Sequence, residues 1–274
     1  MFKTNKIFIF FILFFIQNQC WSQLGCEREL NFEKIMEIQE KIKSSPKIYN
    51  GNRPIVRLAL HNVNKDDGTG GNSWTEIRNV VNGLSNYYQP YNICFVVVDE
   101  DNINRVQYFE MSDFSNNWGS RNDWEELIEE NRVTNAINVY FVKDANSGGL
   151  ATSTIFGDSF PSVCISNFTV GVSTFNSQIL AHEIGHCLGL FHTHEDFNYT
   201  KIEQIPRTGN LKNCEDNGDF LCDTPADPNL NISSLYVDAS CYYIGGQSYN
   251  GYDYEPDPSN LMSYIIVPNF WTAD

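Results

Sequence analysis

The chain has 274 residues, of which 42% are hydrophobic and 19% charged. This composition can bury a sizeable core and excludes an intrinsically disordered protein. The net charge of −16 makes a nucleic acid an unfavourable partner, so we expect no nucleic-acid binding. The length fits one globular domain with a short extra segment.

The N-terminal 22 residues have the pattern of a secretory signal peptide. Lys3 and Lys6 precede the ten apolar residues 7–16, a run too short to span a bilayer. We predict cleavage after Ser22, because Cys20 and Ser22 are small residues at the two positions that signal peptidase recognises; an uncleaved anchor is the alternative. Cleavage takes the 18 basic residues to 16 against 34 acidic ones, a net charge of 16 − 34 = −18. We expect a secreted, extracellular chain without stable membrane insertion.

The next segment, residues 23–52, is polar and rich in Lys and Glu, and we predict that it is a separable pro-segment. Residues 53–274 show the mixed strand and helix patterns of an α+β domain. Its first strand is predicted at 55–60. After an Asn/Asp/Gly-rich loop at 62–72 comes a helix at 74–88, which begins with a capping box of Ser73 and Glu76.

Further strand and helix patterns follow in chain order. They are strands at 93–98, 136–142, 148–153 and 163–166, and helices at 124–131 and 174–188. The strand at 93–98 is almost wholly apolar and is therefore predicted to be central in the sheet. After His192 the sequence is rich in Asn, Asp, Pro, Gly and Tyr, which indicates an irregular lower subdomain without a second core.

The helix at 174–188 carries a metal-binding pattern, His182-Glu183-Ile184-Gly185-His186. Two histidines four residues apart project from one helical face and can bind one zinc ion. Zinc lowers the pKa of a coordinated water towards neutrality, and Glu183 is adjacent, where a carboxylate can act as general base.

A third ligand is expected from the continuation of this pattern, in which Gly189 can end the helix in a left-handed conformation and turn His192 towards the metal. Three protein ligands leave a fourth position for water and substrate, as a catalytic zinc site requires. We expect His194, Glu195 and Asp196, which follow the third ligand, to form a solvated polar rim. His61, on the first strand, carries no functional signal.

The segment 260–264, Asn-Leu-Met-Ser-Tyr, resembles the Met-turn of the metzincin zinc peptidases, which places a methionine, here Met262, beneath the zinc. Together with the long zinc motif and the segment 213–229, it is similar to the pappalysin family, in particular its cytophagalysin-like branch. The resemblance covers about residues 25–268. Twelve residues follow Met262, fewer than the family's last helix needs, so we expect the domain to be truncated at its C-terminus.

The resemblance implies a metzincin-type α+β fold, with a twisted mixed sheet, an active-site helix and an irregular lower subdomain. It implies that an extended substrate binds along the edge strand at 149–153. It also implies that Tyr264 stabilises the tetrahedral intermediate, although a buried tyrosine that only closes the turn is the alternative.

A calcium site is also implied by the resemblance. Its ligands would be the side chains of Asp219 and Thr224 and the backbone carbonyls of Gly218 and Leu221, oxygen donors that suit calcium. The alternative is a turn in which Asp219 and Thr224 only cap their own backbone.

Export implies an oxidising compartment, so the seven cysteines that remain after Cys20 is removed should largely be paired. Relatives carry a cysteine motif where Cys26 lies, and we hypothesise that its thiolate is a fourth zinc ligand that keeps the zymogen latent. The alternative is that Cys26 joins a disulfide. Connectivity cannot be deduced from sequence; one assignment of the other six is Cys214–Cys241, Cys187–Cys222 and Cys94–Cys164.

These patterns together predict a secreted zinc metalloendopeptidase that acts on proteins or peptides. A catalytically silent metal-binding or adhesion domain is the alternative from another class, but it would require a broken site. A zinc hydrolase that does not act on peptides is disfavoured, because the long motif resembles protease families.

Overall fold

A computed structural model describes residues 21–22, 53–109, 122–143, 149–152, 161–165, 173–195, 202–230, 236–238, 242–263 and 265–266. In these residues the fold is a mixed five-stranded sheet with helices on both faces, followed by a largely irregular lower subdomain. The mixed sheet and the irregular lower subdomain agree with the prediction. None of the helices within these ranges combines the length and apolar character needed to cross a membrane.

The sheet contains the strands β2 (Ile55–Asn64), β3 (Cys94–Asn104), β4 (Ile137–Phe141), β5 (Gly149–Thr152) and β6 (Ser162–Ile165). Their order across the sheet is β3-β2-β4-β6-β5. All neighbouring pairs are parallel except β5 and β6, which are antiparallel. A separate antiparallel pair joins β1 (Trp21–Ser22) to β9 (Ile265–Ile266).

One face of the sheet packs on α1 (Trp74–Asn82), α2 (Leu84–Tyr88) and α5 (Ser173–Cys187). Ser73 begins α1 with the predicted capping box, since its hydroxyl accepts from Glu76 N and the Glu76 carboxylate accepts from Ser73 N. The predicted single helix at 74–88 is wrong, because Gly83 separates α1 from α2. A Cβ at Gly83 would lie 2.2 Å from Ser177 Oγ, so glycine lets α5 approach closely.

The opposite face packs on α3 (Val106–Phe109) and α4 (Asn122–Asn131). Tyr140 lies at the centre of this layer, where its ring stacks on His61 and meets Trp124 edge-on. His61 is fully buried and contacts Asp101 Oδ1 at 2.6 Å and Asn138 Oδ1 at 3.0 Å. It therefore serves as a hydrogen-bonded core residue.

The position of β3 corrects the prediction that the strand at 93–98 is central. Among the described strands it pairs with β2 alone and lies at an edge of the sheet, and its Val96 and Val97 are partly exposed. The apolar run indicated full burial, but Phe95 is only partly buried where it packs against the core. The hydrophobicity of a strand does not by itself predict whether it takes an edge or a central position in the sheet.

The lower subdomain contains two short strands, β7 (Ser248–Tyr249) and β8 (Tyr252–Asp253), and is otherwise irregular. The disulfide Cys214–Cys222 links residues eight positions apart. Both Cys214–Cys241 and Cys187–Cys222 are therefore wrong, because each would use a sulfur already bonded in that bridge. Local loop geometry, which a count of cysteines does not reveal, determines this pairing.

The predicted pair Cys94–Cys164 is also wrong, since both are free thiols. Cys94 begins β3 and Cys164 lies on β6, three strand spacings away, or about 14 Å at 4.8 Å per spacing. A disulfide requires Cα atoms closer than about 7 Å. Cys26, Cys241 and Tyr264 lie outside the described residues, as do the proposed signal and pro-segments except Trp21–Ser22.

Candidate metal centre

The helix α5 carries the predicted metal motif into the interior of the protein. Ile179, Leu180, Ala181 and Ile184 pack into the core beneath the sheet, which fixes the orientation of the helix. His182, Glu183 and His186 are all buried on the same helix. Glu183 lies one turn before His186, so both side chains can face one side of the helix.

Gly189 ends this helix as the motif predicts. Its φ of 103° lies in the left-handed region that favours glycine. The N–H of Leu190 donates to the carbonyl of Gly185 at 3.0 Å, and that of Gly189 donates to His186 O at 3.0 Å. This is the Schellman pattern, which reverses the chain and brings His192 back to the helix.

The structure brings the three predicted zinc ligands together at their Nε2 atoms. The separations are 3.2 Å for His182 and His186, 3.3 Å for His182 and His192, and 3.1 Å for His186 and His192. A tetrahedral zinc ion with Zn–N bonds of about 2.0–2.1 Å separates its ligands by about 3.3–3.4 Å. Among the described residues, these three histidines form a group whose ligand atoms all lie within 4.8 Å of one another, close enough to hold one metal ion.

The opposite ring nitrogens show which atoms remain for the metal. His182 Nδ1 donates to Leu261 O at 2.7 Å, and His186 Nδ1 donates to Leu190 O at 2.8 Å. A carbonyl can only accept, so in each neutral ring the proton is on Nδ1 and Nε2 carries a lone pair. Lone pairs that converge at 3.2 Å repel one another unless a cation lies between them.

Burial keeps these rings uncharged. It lowers the pKa of His182 from 6.5 to about 4 and lowers the pKa of both His186 and His192 well below the ordinary value. Neutral imidazole is the form that binds zinc, so the site is prepared for a metal at neutral pH.

Glu195 and His194 are not the solvated rim that we expected. His194 is buried and stacks on the His192 ring, with centroids 5.1 Å apart. Glu195 Oε2 lies 3.5 Å from His192 Nδ1, with 15% of its side chain exposed. Burial raises the pKa of Glu195 to about 7, and a positive centre at His192 would favour its ionised form. Asp196 lies outside the described residues.

The predicted Met-turn lies against α5, which we call the zinc helix because it carries His182 and His186. Met262 N donates to Asn260 Oδ1 at 2.8 Å and Ser263 N donates to Asn260 O at 3.0 Å, which closes the turn. Met262 is buried, with its sulfur beside Gly185. The turn also supplies Leu261 O, the acceptor that orients His182.

The segment with the predicted calcium ligands forms a closed turn. Asp219 Oδ1 accepts from Leu221 N at 2.9 Å, and the Asp219 carboxylate also accepts from the Thr224 side chain. Arg207 forms an ion pair with Glu203 and donates to Thr224 O. A guanidinium thus lies beside the predicted donors.

One contact at the metal centre was missed from the sequence. Thr193 Oγ1 donates to Asp227 Oδ2 at 2.6 Å, and both residues are buried. Thr193 follows a predicted ligand and Asp227 lies in the segment 213–229, which the sequence singled out. Their position in two motifs was the available signal, but no local rule joins residues 34 apart.

Comparison with a protein-family model agrees with this geometry. A family model described as metallo-peptidase family M12, of the reprolysin type, matches residues 63–234, which is more than half of the chain. The chain is also similar to metalloproteinase-II from Bacteroides fragilis, with 14% identity and a TM-score of 0.29. That match covers 57% of this chain and about half, 51%, of the other. Among curated proteins, none shows significant similarity to this chain.

Proposed function

We propose, since the chain belongs to metallopeptidase family M12, that it is a secreted zinc endopeptidase that hydrolyses peptide bonds in proteins or peptides. One observation carries the proposal: three uncharged imidazoles converge with their Nε2 atoms 3.1–3.3 Å apart. These separations and the neutral nitrogen donors fit zinc, which His182, His186 and His192 would hold. When bound, zinc polarises the scissile carbonyl and acidifies the attacking water.

Groups of the protein itself would then transfer the protons and orient the imidazoles. Glu183 is fully buried and follows His182 directly on α5, and its carboxylate would take the proton of the attacking water. It then passes that proton to the leaving amine, so the carboxylate is regenerated. The carbonyls of Leu261 and Leu190 hold two of the imidazoles in the ligating tautomer throughout.

Substrate binding at β5 is part of the proposal. In the described sheet β5 has a neighbour only on its β6 side, and it lies beside the zinc helix. An extended peptide can add to such an edge through main-chain hydrogen bonds. Tyr264 is proposed to donate to the developing oxyanion; its neighbours Met262 and Ser263 lie in the turn beside the helix.

Secretion, latency and the narrower family assignment rest on the sequence. The signal pattern of residues 1–22 supports export, and the pro-segment 23–52 with Cys26 supports a zymogen in which a thiolate occupies the fourth zinc position. The segment 213–229 supports a place in the pappalysin family, in its cytophagalysin-like branch. Activity of a Cys26→Ala proform no higher than that of the intact proform would contradict the latency proposal.

Calcium remains a prediction, and the geometry gives it only partial support. The contact between Asp219 and Thr224 fits both a shared ligand set and a self-capped turn. The Arg207 guanidinium at Thr224 O already supplies a positive charge, which disfavours a second cation nearby. A rise in Tm on adding Ca²⁺ that Asp219→Ala abolishes would support calcium, whereas an unchanged Tm would favour the self-capped turn.

The decisive experiment for the proposed function separates the base from the metal. Glu183→Ala should retain one zinc per chain and lose peptide hydrolysis by about 10²- to 10⁴-fold, measured with fluorogenic peptides. Glu129→Ala, on the exposed face of α4, is the matched control and should leave the activity unchanged. Zinc-loaded wild-type protein without chelator-sensitive hydrolysis would instead identify a catalytically silent metal-binding domain.

A further inference from the structure

The third zinc ligand lies on a stretch of chain without regular secondary structure. We call residues 190–195 the third-ligand segment; it begins after Gly189 and contains His192. His182 and His186 are oriented by the helix that carries them. His192 depends on contacts that fix the segment itself, because an irregular backbone has no ladder of hydrogen bonds to hold it.

Thr193, directly after the ligand, is anchored from two sides. Its N–H donates to Met262 O at 3.2 Å, and its hydroxyl donates to Asp227 Oδ2 at 2.6 Å. Thr193 and Asp227 are 3% and 5% exposed, so the hydroxyl–carboxylate bond is shielded from competing water. Hydrogen bonds to a charged acceptor contribute more than neutral ones.

Asp227 is itself held in place. Its second oxygen, Oδ1, accepts from Asn229 N at 2.8 Å, which fixes the carboxylate in a turn of its own backbone. A short way before Asp227, the disulfide Cys214–Cys222 closes the preceding loop. The carboxylate therefore offers Thr193 a fixed acceptor from a different part of the chain.

We propose that Asp227 is a positioning residue of the metal centre, which holds His192 at the metal through its hydrogen bond to Thr193. The inference rests on the proposed function only in taking His192 to be a zinc ligand. The lower subdomain thereby contributes to zinc affinity although it supplies no ligand of its own to the triad. A carboxylate that only caps the turn at Asn229 would leave zinc affinity unchanged.

The test measures zinc affinity by competition with a chromophoric chelator. Thr193→Val keeps the shape of the side chain and removes the hydroxyl, and Asp227→Ala removes the acceptor. Each should weaken zinc binding by about tenfold, the lower end of the effect seen for groups that orient metal ligands. Thr193→Ser restores the hydroxyl and should bind zinc within about twofold of wild type. Asp223→Ala, which removes an exposed acidic side chain four residues before Asp227, is the matched control and should bind zinc like wild type.

The double variant Thr193→Val/Asp227→Ala tests whether the two residues act together. It should bind zinc no more weakly than the weaker single variant, because one interaction is lost in all three proteins. Losses that multiply would overturn the proposal, as would single variants that bind zinc like wild type.

A structural role without positioning is distinguished by the apoprotein. The Tm and near-ultraviolet circular dichroism of each apo variant report folding, and zinc affinity is measured at a temperature where all variants are folded. A lower Tm with unchanged zinc affinity would overturn the proposal. Failure of the proposed function is separate, because it is seen in wild-type protein as zinc binding without peptide hydrolysis.

Discussion

The sulfur of Met262 lies where the side chain of an alanine at position 185 would be: a Cβ built on Gly185 would be 2.6 Å from Met262 Sδ. Both residues are in the buried contact between the zinc helix and the Met-turn, so the sulfur has little room to move away. Position 185, in the middle of the metal motif, therefore requires glycine because Met262 leaves no room for a side chain, and not because of the φ angle of Gly185.

Gly185→Ala should destabilise the protein, although the same change in an exposed helix stabilises it by about 1 kcal/mol. Overpacking costs about 1–3 kcal/mol and should dominate, so we expect a lower free energy of unfolding in urea. Combining it with Met262→Ala, which removes the sulfur, should reduce the cost of the alanine. An increase in stability from Gly185→Ala in the wild-type background would contradict this packing.

Glu195 should strengthen zinc binding through His192. A carboxylate 3.5 Å from Nδ1 favours the tautomer that leaves Nε2 for the metal. Glu195→Ala should weaken zinc binding by about tenfold, and Glu195→Gln, which keeps an oxygen acceptor, should weaken it less. Chelator competition measures both, with Glu255→Ala as an exposed control. Equal affinities for Glu195→Ala and wild type would show that the contact is incidental.

The buried histidines of the apoprotein should contribute less stability as the pH falls from about 6.5 to about 4. In this range the unfolded chain protonates its histidines, whereas burial holds the pKa of His182 at about 4 in the folded state. At these histidines the unfolded state thus binds more protons, so their contribution to the free energy of unfolding decreases as the pH falls. Glu195, whose pKa burial raises to about 7, contributes in the opposite direction. Zinc must compete with the same protons, so zinc release should occur on acidification. An NMR titration of the imidazole signals of the folded apoprotein between pH 7 and 4 provides the measurement; a His182 pKa near 6.5 would contradict burial of the neutral imidazole.

The disulfide Cys214–Cys222 can be tested by mapping the cysteine pairs. Proteolysis without reduction should yield Cys214 and Cys222 in one linked peptide, identified by mass spectrometry. Half-buried Cys94 should be alkylated in the native protein, and buried Cys164 only after unfolding. A peptide that links Cys94 to Cys164 would refute this arrangement.

Cys222→Ser should lower the free energy of unfolding by about 2.5 kcal/mol through loop entropy, while zinc binding stays close to wild type.

What could be predicted from the sequence was local. The spacing of His182 and His186, the helix end at Gly189 and the capping box at Ser73 depend on neighbours within about one helical turn. The edge position of β3 and the separation of Cys94 from Cys164 depend on the order in which strands assemble. Similarly, the hydrogen bond from Thr193 to Asp227 joins residues 34 positions apart, and no sequence periodicity predicts it.

The hydrogen bond from His182 to Leu261 has a consequence during protein synthesis. The two residues are 79 positions apart, and translation at about 5–20 residues per second separates their appearance by about 4–16 s. During that interval the nascent chain carries a zinc helix whose first ligand lacks its orienting acceptor. The chain should thus acquire high zinc affinity only late in translation, which delays its reactive centre until the lower subdomain has been made.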